Sequence, residues 1–168
     1  VVDVHLTDGN QSIFLATSIG YGLMFMESEV PTVGARASGV KGINLKDDDY
    51  IVGGKVFAET DSSMIALITQ RGAIKKMKRS EFEMTSRAKR GVVMLRELKK
   101  NPHRVAGIEF VNDQDTIVIL SEKGMIEEIP SFQLRPSDRY SNGSFFMDEG
   151  ENGSIIETWT ITPEITNS

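Results

Sequence analysis

Thr69-Gln70-Arg71-Gly72-Ala73-Ile74-Lys75-Lys76 decides the fold, because its pattern occurs three times along the chain. It joins the apolar run Ile65-Ala66-Leu67-Ile68 to a second run, Ile74-Lys75-Lys76-Met77, through polar residues and one glycine. The same text stands 52 residues earlier as Ile13-Phe14-Leu15-Ala16, Thr17-Ser18-Ile19-Gly20 and Leu23-Met24-Phe25-Met26 (72 − 20). It stands 52 residues later as Ile117-Val118-Ile119-Leu120, Ser121-Glu122-Lys123-Gly124 and Met125-Ile126-Glu127-Glu128-Ile129 (124 − 72). Runs of this length, rich in β-branched and aliphatic residues, are buried strands. The glycine between them supplies the left-handed backbone of a tight hairpin.

A second glycine row, Gly39, Gly91 and Gly143, keeps the same spacing and precedes a third strand in each copy: Val40 to Leu45, Val92 to Leu95, Ser144 to Met147. A fourth strand ends on an aromatic, over Tyr50 to Phe57, Val105 to Phe110 and Ile155 to Trp159. Each copy therefore reads as four short antiparallel strands, in units of about 10–58, 62–110 and 114–160. Tandem four-stranded units predict an all-β, propeller-like architecture, here three blades of a partial disc within one domain, 1–168. Helix signals are sparse; Arg79 to Phe82 and Pro130 to Gln133 are expected to make single turns. The eight Met residues are expected as core filler, Trp159 as the closure of the last blade, and the tail after Thr160 as frayed.

The net charge of −5 hides a strong segregation. Residues 1–69 carry 4 basic and 9 acidic groups, residues 70–104 carry 12 and 3, and residues 105–168 carry 3 and 12. The local field of the middle block, not the net charge, decides affinity for a polyanion. There is no Cys, which excludes disulfides and thiolate metal sites. No apolar run approaches the ~20 residues of a membrane span. Val1-Val2-Asp3-Val4-His5 shows neither a basic flank nor a signal-peptide core, and the missing initiator Met suggests a fragment of a longer chain. A cytoplasmic location is the expectation.

Three segments carry a resemblance to a known family. Gly34-Ala35-Arg36-Ala37-Ser38-Gly39-Val40-Lys41-Gly42-Ile43-Asn44-Leu45, Thr69 to Lys76, and Ser86-Arg87-Ala88-Lys89-Arg90-Gly91-Val92-Val93-Met94-Leu95 resemble the repeated blade signature of the C-terminal domains of bacterial gyrase A and topoisomerase IV A subunits. The resemblance recurs in register over residues 10–160. The Gln-Arg-Arg-Gly-Gly-Lys-Gly box of gyrase is absent, and Arg96 to Arg104 is more like topoisomerase IV A subunits of Gram-positive bacteria. The resemblance implies a β-pinwheel, of which three blades would be the C-terminal half. It implies a non-catalytic domain that binds and bends duplex DNA for a topoisomerase core and its ATPase partner. Both ATP and magnesium would act in other domains of that enzyme, which relaxes and decatenates DNA. Wrapping DNA for supercoiling, as in gyrase, is the alternative within the family.

Wrapping needs phosphate contacts along a curved path, which Lys and Arg supply through counterion release. The expected DNA contacts are Arg71, Lys75, Lys76, Lys78, Arg79, Arg87, Lys89 and Arg90 in the middle copy. Arg36 and Lys41 are expected from the first copy and Lys123 and Arg139 from the third. Strand alternation puts Lys75 and Lys76 on opposite faces, so at most one of them should face DNA. Their register mates are Leu23 and Met24 in the first copy and Glu127 and Glu128 in the third, so the DNA path should leave the rim near the third blade. A single surface lysine is ordinarily a solvated charge. The block of 12 bases against 3 acids between acidic neighbours is not explained by solubility. A different class of function, a protein-interaction propeller meeting a basic partner with its acidic blades, stands as the alternative.

Other motifs carry little. Gly34 to Lys41 departs from a P-loop, with Gly42 where Ser or Thr is needed. Asp47-Asp48-Asp49 lacks the spaced ligands of a calcium loop and reads as a turn. Two histidines, His5 and His103, form no metal-binding cluster, and no serine lies in a nucleophile elbow. Tyr21, Tyr50 and Tyr140 fall inside the blades and are not expected to be a cleavage tyrosine.

Overall fold

A computed structural model describes residues 5–164, and the readings of Val1 to Val4 and of the tail beyond Glu164 lie outside those residues. The hairpins form where the glycine row places them. They pair β1 (Ser12–Thr17) with β2 (Tyr21–Met26), then β4 (Met64–Thr69) with β5 (Ala73–Met77), and β9 (Thr116–Ser121) with β10 (Ile126–Pro130). The fourth strands are β3 (Ile51–Phe57), β8 (Val105–Val111) and β12 (Ile155–Ile161), each laid antiparallel on its own β1-type strand. The expected single turns form as 3-10 turns at Arg79–Glu81 and Ser131–Gln133, joined by a third at Glu27–Glu29. A single helical turn, α1 (Glu149–Asn152), was not legible in the sequence; the Asp148 side chain caps it by accepting from the Glu151 amide.

The third strands correct the sequence reading. β7 (Val92–Val93), with β6 (Met84–Thr85) before it, does not complete the second sheet. Both strands cross to the first sheet and pair with β2, β7 antiparallel and β6 parallel. The third copy repeats the exchange: β11 (Ser144–Phe145) pairs with β5 of the second sheet, and Pro136 bridges Lys76 in parallel. Val40 to Leu45 forms no strand, and the three sheets hold five, four and three strands instead of four each. The expected all-β architecture is therefore present, but the first two sheets each finish with backbone from the following copy.

The second glycine row is the hinge of this exchange. Gly91 and Gly143 have φ of +93° and +86°, which L side chains rarely adopt. A Cβ on Gly91 would collide with the Gly22 carbonyl, and one on Gly143 would lie 2.5 Å from the Ile74 carbonyl. Beyond the hinge, the Met94 amide donates to Gly20 O at 2.7 Å and the Phe146 amide to Gly72 O at 2.9 Å. An apolar anchor enters with each crossing: Phe82 and Leu134, 52 residues apart, are both buried.

Two hydrophobic cores lie between sheets, beside a smaller cluster of Leu23, Phe25 and Ile43. One, between the first and second sheets, holds Phe14, Phe57, Ile65, Leu67, Phe82 and Met94. Phe14 meets Phe82 edge-on at 4.9 Å and Phe57 meets Phe110 at 5.6 Å. The other, between the second and third sheets, holds Ala66, Ile68, Ile74, Ile117, Ile129 and Leu134. The middle sheet is covered on both faces, which is why Ile65 to Ile68 is uninterrupted by polar residues. Trp159 sits half-buried opposite Val118 on β12.

Gly143→Ala should incur the strain of an L side chain at positive φ, ~1–2 kcal/mol, and also a clash with the Ile74 carbonyl, so it should unfold at clearly lower urea than wild type. Gly124→Ala has the same left-handed backbone but open space around it, so it should show only the strain cost. Urea titrations of the two variants measure the difference; equal losses would refute the hinge.

Candidate nucleic-acid interface

The middle sheet decides what its charges can do. Lys75 pairs across the hairpin with Leu67 and faces the first core; Lys76 pairs with Ala66 and faces the second. Both are buried, at 3% and 2% exposure, which corrects their expected place among the DNA contacts. Lys75 Nζ donates to the carbonyls of Met94, Arg139 (3.0 Å) and Ser141 (2.6 Å), with Asp138 O at 3.4 Å. An ammonium has three donors and no acceptor, so this ring of oxygens suits it. Burial pulls its pKa down to about 8, opposed by the nearby Asp138 charge. Lys76 Nζ donates to Ser131 O at 2.8 Å and lies 3.7 Å from Asp113. Both lysines fasten the third copy onto the second sheet, and neither belongs to a surface that could meet DNA.

Two arginines fasten the seams in the same way. Arg87 donates from Nε to Glu29 O at 3.0 Å and from its NH1 nitrogen to Lys41 O. Arg139, its register mate, donates to Glu81 O at 2.9 Å and Val93 O at 3.2 Å, with its guanidinium 5.1 Å from the Tyr140 ring. Glu29 and Glu81, and Lys41 and Val93, are themselves 52 apart, so the latch repeats in register. Arg79 donates to Ala58 O at 3.1 Å and stacks 5.0 Å over Phe57. Arg71 donates to Asn101 O at 2.9 Å and approaches His103 Nε2 at 3.2 Å, with Phe145 beneath it. Lys123 donates to Glu151 O. These side chains remain partly or wholly at the surface, but their geometry is committed to the protein.

The exposed members of the expected set are Lys78, Lys89, Arg90, Arg36, Lys41 and, held by the Glu151 carbonyl, Lys123. Lys89 and Lys41 are brought together across a seam: the Ala88 amide donates to Gly42 O at 2.7 Å and the Asn44 amide to Lys89 O at 2.7 Å. The Ala88 amide is thereby used inside the protein and is not available to cradle a phosphate. The structure adds cations that were passed over because they lie outside the aligned motifs. Lys46 and Arg104 border one hollow beside Gly20 and Val93. Arg96 and Arg139 border another on the far side of Val93. Lys46 lies 5.0 Å over the Tyr21 ring, and the Arg96 amide is held by Asn142 Oδ1 at 2.6 Å. The signal for them was present in the sequence, since Arg96, Lys99, Lys100 and Arg104 belong to the basic block. The result is a cationic band along the seam of the first two sheets. On the third sheet, Glu127 and Glu128 stand exposed on β10.

Asp49 caps its turn: its Oδ1 accepts from Ser18 Oγ at 2.7 Å and from the Ile19 amide at 3.0 Å. Among the described residues no three His, Asp or Glu side chains gather as a metal site, and no helix is long and apolar enough to cross a membrane.

A family model described as the DNA gyrase C-terminal domain, beta-propeller, matches residues 11–58 and 63–112. The chain is 56% identical over 164 residues to the DNA topoisomerase 4 A subunit of Bacillus subtilis (strain 168), across 98% of this chain and 20% of that protein. It is 34% identical over 159 residues to the protein of the same name from Staphylococcus aureus (strain MRSA252), across 95% and 20%. A crystal structure of the C-terminal domain of DNA topoisomerase IV superposes with a TM-score of 0.89 at 57% identity, over 96% of this chain and 50% of that one. The gyrase A C-terminal domain superposes at 0.74 with 18% identity, over 90% and 51%, a likeness of fold alone. The chain spans about a fifth of the length of the curated relatives it matches.

Lys75→Met should leave its carbonyls unsatisfied and cost ~2–4 kcal/mol, whereas Lys78→Met at the surface should stay within ~0.5 kcal/mol; thermal melts compare the two. His103 gives a pH dependence. Its Nδ1 meets Thr69 Oγ1 at 3.0 Å, and burial, then the Arg71 charge, lower its pKa, with Glu149 opposing. The unfolded chain takes up this proton first, so stability should fall as pH drops through 6.5 towards the lower folded value. His103→Gln should flatten that part of a urea midpoint-against-pH curve.

Proposed function

Because this chain belongs to the DNA gyrase C-terminal domain family, we propose that it binds and bends duplex DNA as the non-catalytic C-terminal part of a topoisomerase IV A-type subunit. The observation that carries this reading is the cationic band at the seam of the first two sheets. It gathers the exposed Lys41, Lys46, Lys89, Arg90 and Arg96 while the opposite end of the chain is acidic. Contacts are to phosphates, with little base readout, because exposed Lys and Arg on short loops offer charge without a helix or ribbon to enter a groove. Bending is offset by those contacts. The seam latches Arg87 and Arg139 serve by holding neighbouring sheets at a fixed angle, so that the band follows a curve. Lys89 and Arg90, exposed where Lys75 and Lys76 are buried, stand at its centre.

The parent enzyme would relax and decatenate DNA, with strand cleavage, ATP and magnesium handled by other domains and by a partner ATPase subunit, in the bacterial cytoplasm. This chain supplies a DNA surface to that reaction and no catalytic group. The acidic third sheet is what a protein-interaction role would use, and mixed-sequence duplex in a gel shift at low salt separates the two: absence of a complex would favour the protein partner.

Lys89→Ala with Arg90→Ala should weaken duplex binding and shrink the slope of log K against log [salt] by ~0.9 for each phosphate that is no longer neutralised, with the melting temperature unchanged. Lys78→Ala, away from the seam, should leave the slope nearer wild type. An unaltered slope in the double variant would overturn the assignment.

A further inference from the structure

Among the described residues, four aromatic rings stand largely in solvent: Tyr140 at 71%, Phe132 at 68%, Tyr50 at 62% and Phe145 at 57% exposure. A single exposed ring is ordinary on a protein surface. Their surroundings separate them. Tyr50 follows Asp47, Asp48 and Asp49 in the chain, and Phe132 follows the exposed Glu127 and Glu128. Phe145 lies under Arg71 in a hollow that Asp148 and Glu149 also border. Tyr140 shares its hollow with Val93, Arg96 and Arg139, so two arginines and two apolar surfaces meet there without an acid among the residues that line it.

The Tyr140 ring is held in place. Asp138 Oδ1 accepts from the Tyr140 amide at 2.9 Å, which commits the neighbouring carboxylate to the turn. The Arg139 guanidinium lies 5.1 Å from the ring centroid and is itself pinned by the carbonyls of Glu81 and Val93. Asn142, two residues on, clamps the backbone of Arg96: its Oδ1 accepts from the Arg96 amide at 2.6 Å and its Nδ2 donates to the Arg96 carbonyl at 3.1 Å. The loop that carries the ring is thereby tied to the segment that carries Arg96, whose side chain is exposed. Val93 beside them is 47% exposed. An apolar surface and a cation held at a fixed separation lose little entropy when a ligand engages both.

Register shows what is peculiar to this loop. The second copy reads Ala88-Lys89-Arg90 where the third reads Tyr140-Ser141-Asn142 (88 + 52 = 140). Two cations are exchanged for one ring. Val93 also borders the hollow of Lys46 and Arg104, so the ring stands next along from the cationic band.

Resting on the DNA reading above, we propose that Tyr140 packs on a deoxyribose of the duplex, with Val93 against the same sugar and Arg96 on the adjoining phosphate. A DNA backbone alternates anionic phosphates with apolar sugars, and this hollow presents a cation beside an apolar surface. Insertion between base pairs, which kinks a duplex, needs both faces of a ring, and Arg139 covers one face of Tyr140. The contact is therefore to the backbone and carries no sequence preference. A sugar contact releases no counterions, so its strength does not depend on salt. It holds the duplex where the loop cations of the second copy run out.

Fluorescence anisotropy of a labelled mixed-sequence duplex, titrated with the chain over a range of salt concentrations, tests this. Tyr140→Ala should weaken binding ~5–10-fold, the loss expected on truncating an interface aromatic. The factor should be the same at every salt concentration, so that the slope of log K against log [salt] stays that of wild type. Tyr140→Phe should recover the affinity that Tyr140→Ala loses, because the ring and not the hydroxyl makes the contact. Arg96→Gln should instead shrink the slope by ~0.9. Both side chains are exposed, so thermal melts of the three variants should match wild type. A wild type that binds no duplex would overturn the DNA reading and this contact with it. A wild type that binds would leave that reading standing, and the contact alone would fall if Tyr140→Ala bound equally well, if its loss came with a changed slope, or if Tyr140→Phe bound as weakly as Tyr140→Ala.

Discussion

An unpaired sheet edge is the constraint on which this structure depends. A strand edge presents amides and carbonyls that must find partners when apolar surface packs around them. The first two hairpins do not satisfy their own β2-type edges, and the chain that follows the second and third hairpins leaves for the preceding sheet. The edge is closed instead by the next copy, through two or so ladder pairs, the amides of Met94 and Phe146, and an arginine on backbone carbonyls. Consecutive sheets are therefore not merely adjacent. The first and second sheets are each completed by the copy that follows, which fixes their relative orientation more firmly than packing of two finished sheets.

That constraint divides the basic residues into two populations. Those placed where copies interlock, Lys75, Lys76, Arg87 and Arg139, donate to carbonyls of another copy. Four or more unsatisfied oxygens at a seam are costly to bury, and a cation with several donors satisfies them at once. Those placed on the loops flanking the seam, Lys41, Lys46, Lys89, Arg90 and Arg96, keep their charge at the surface. The two populations are neighbours in sequence, sometimes with one residue between them, as Arg87 and Lys89 are. Charge density along the chain cannot separate them.

The copies have drifted in the one register where the seam is gripped: Leu23, Lys75 and Glu127. In the first sheet the position is filled by an aliphatic chain packed with Phe25 and Ile43. In the second it is an ammonium inside a ring of carbonyls. In the third it is an exposed carboxylate on an open edge. The scaffold tolerates all three because the ladder, hinge glycine and apolar anchor do the joining, and the gripping residue adjusts each seam.

The repeat, the strand content, the hairpin glycines and the segregation of charge were all legible in the sequence, because each is written locally: an apolar run of strand length, a glycine where φ must be positive, a count of bases and acids. The buried lysines, the seam arginines and the true partners of Val92 and Ser144 were not. Alternation places Lys75 and Lys76 on opposite faces whatever surrounds them, and only the packing of a sheet on either side makes both faces interior. Likewise Gly39, Gly91 and Gly143 are one residue type in one register, with nearly one backbone conformation. Whether that conformation closes a seam or stands open is decided by what tertiary structure brings against it, since a hydrogen-bonding edge has no signature until another strand is there to pair with it.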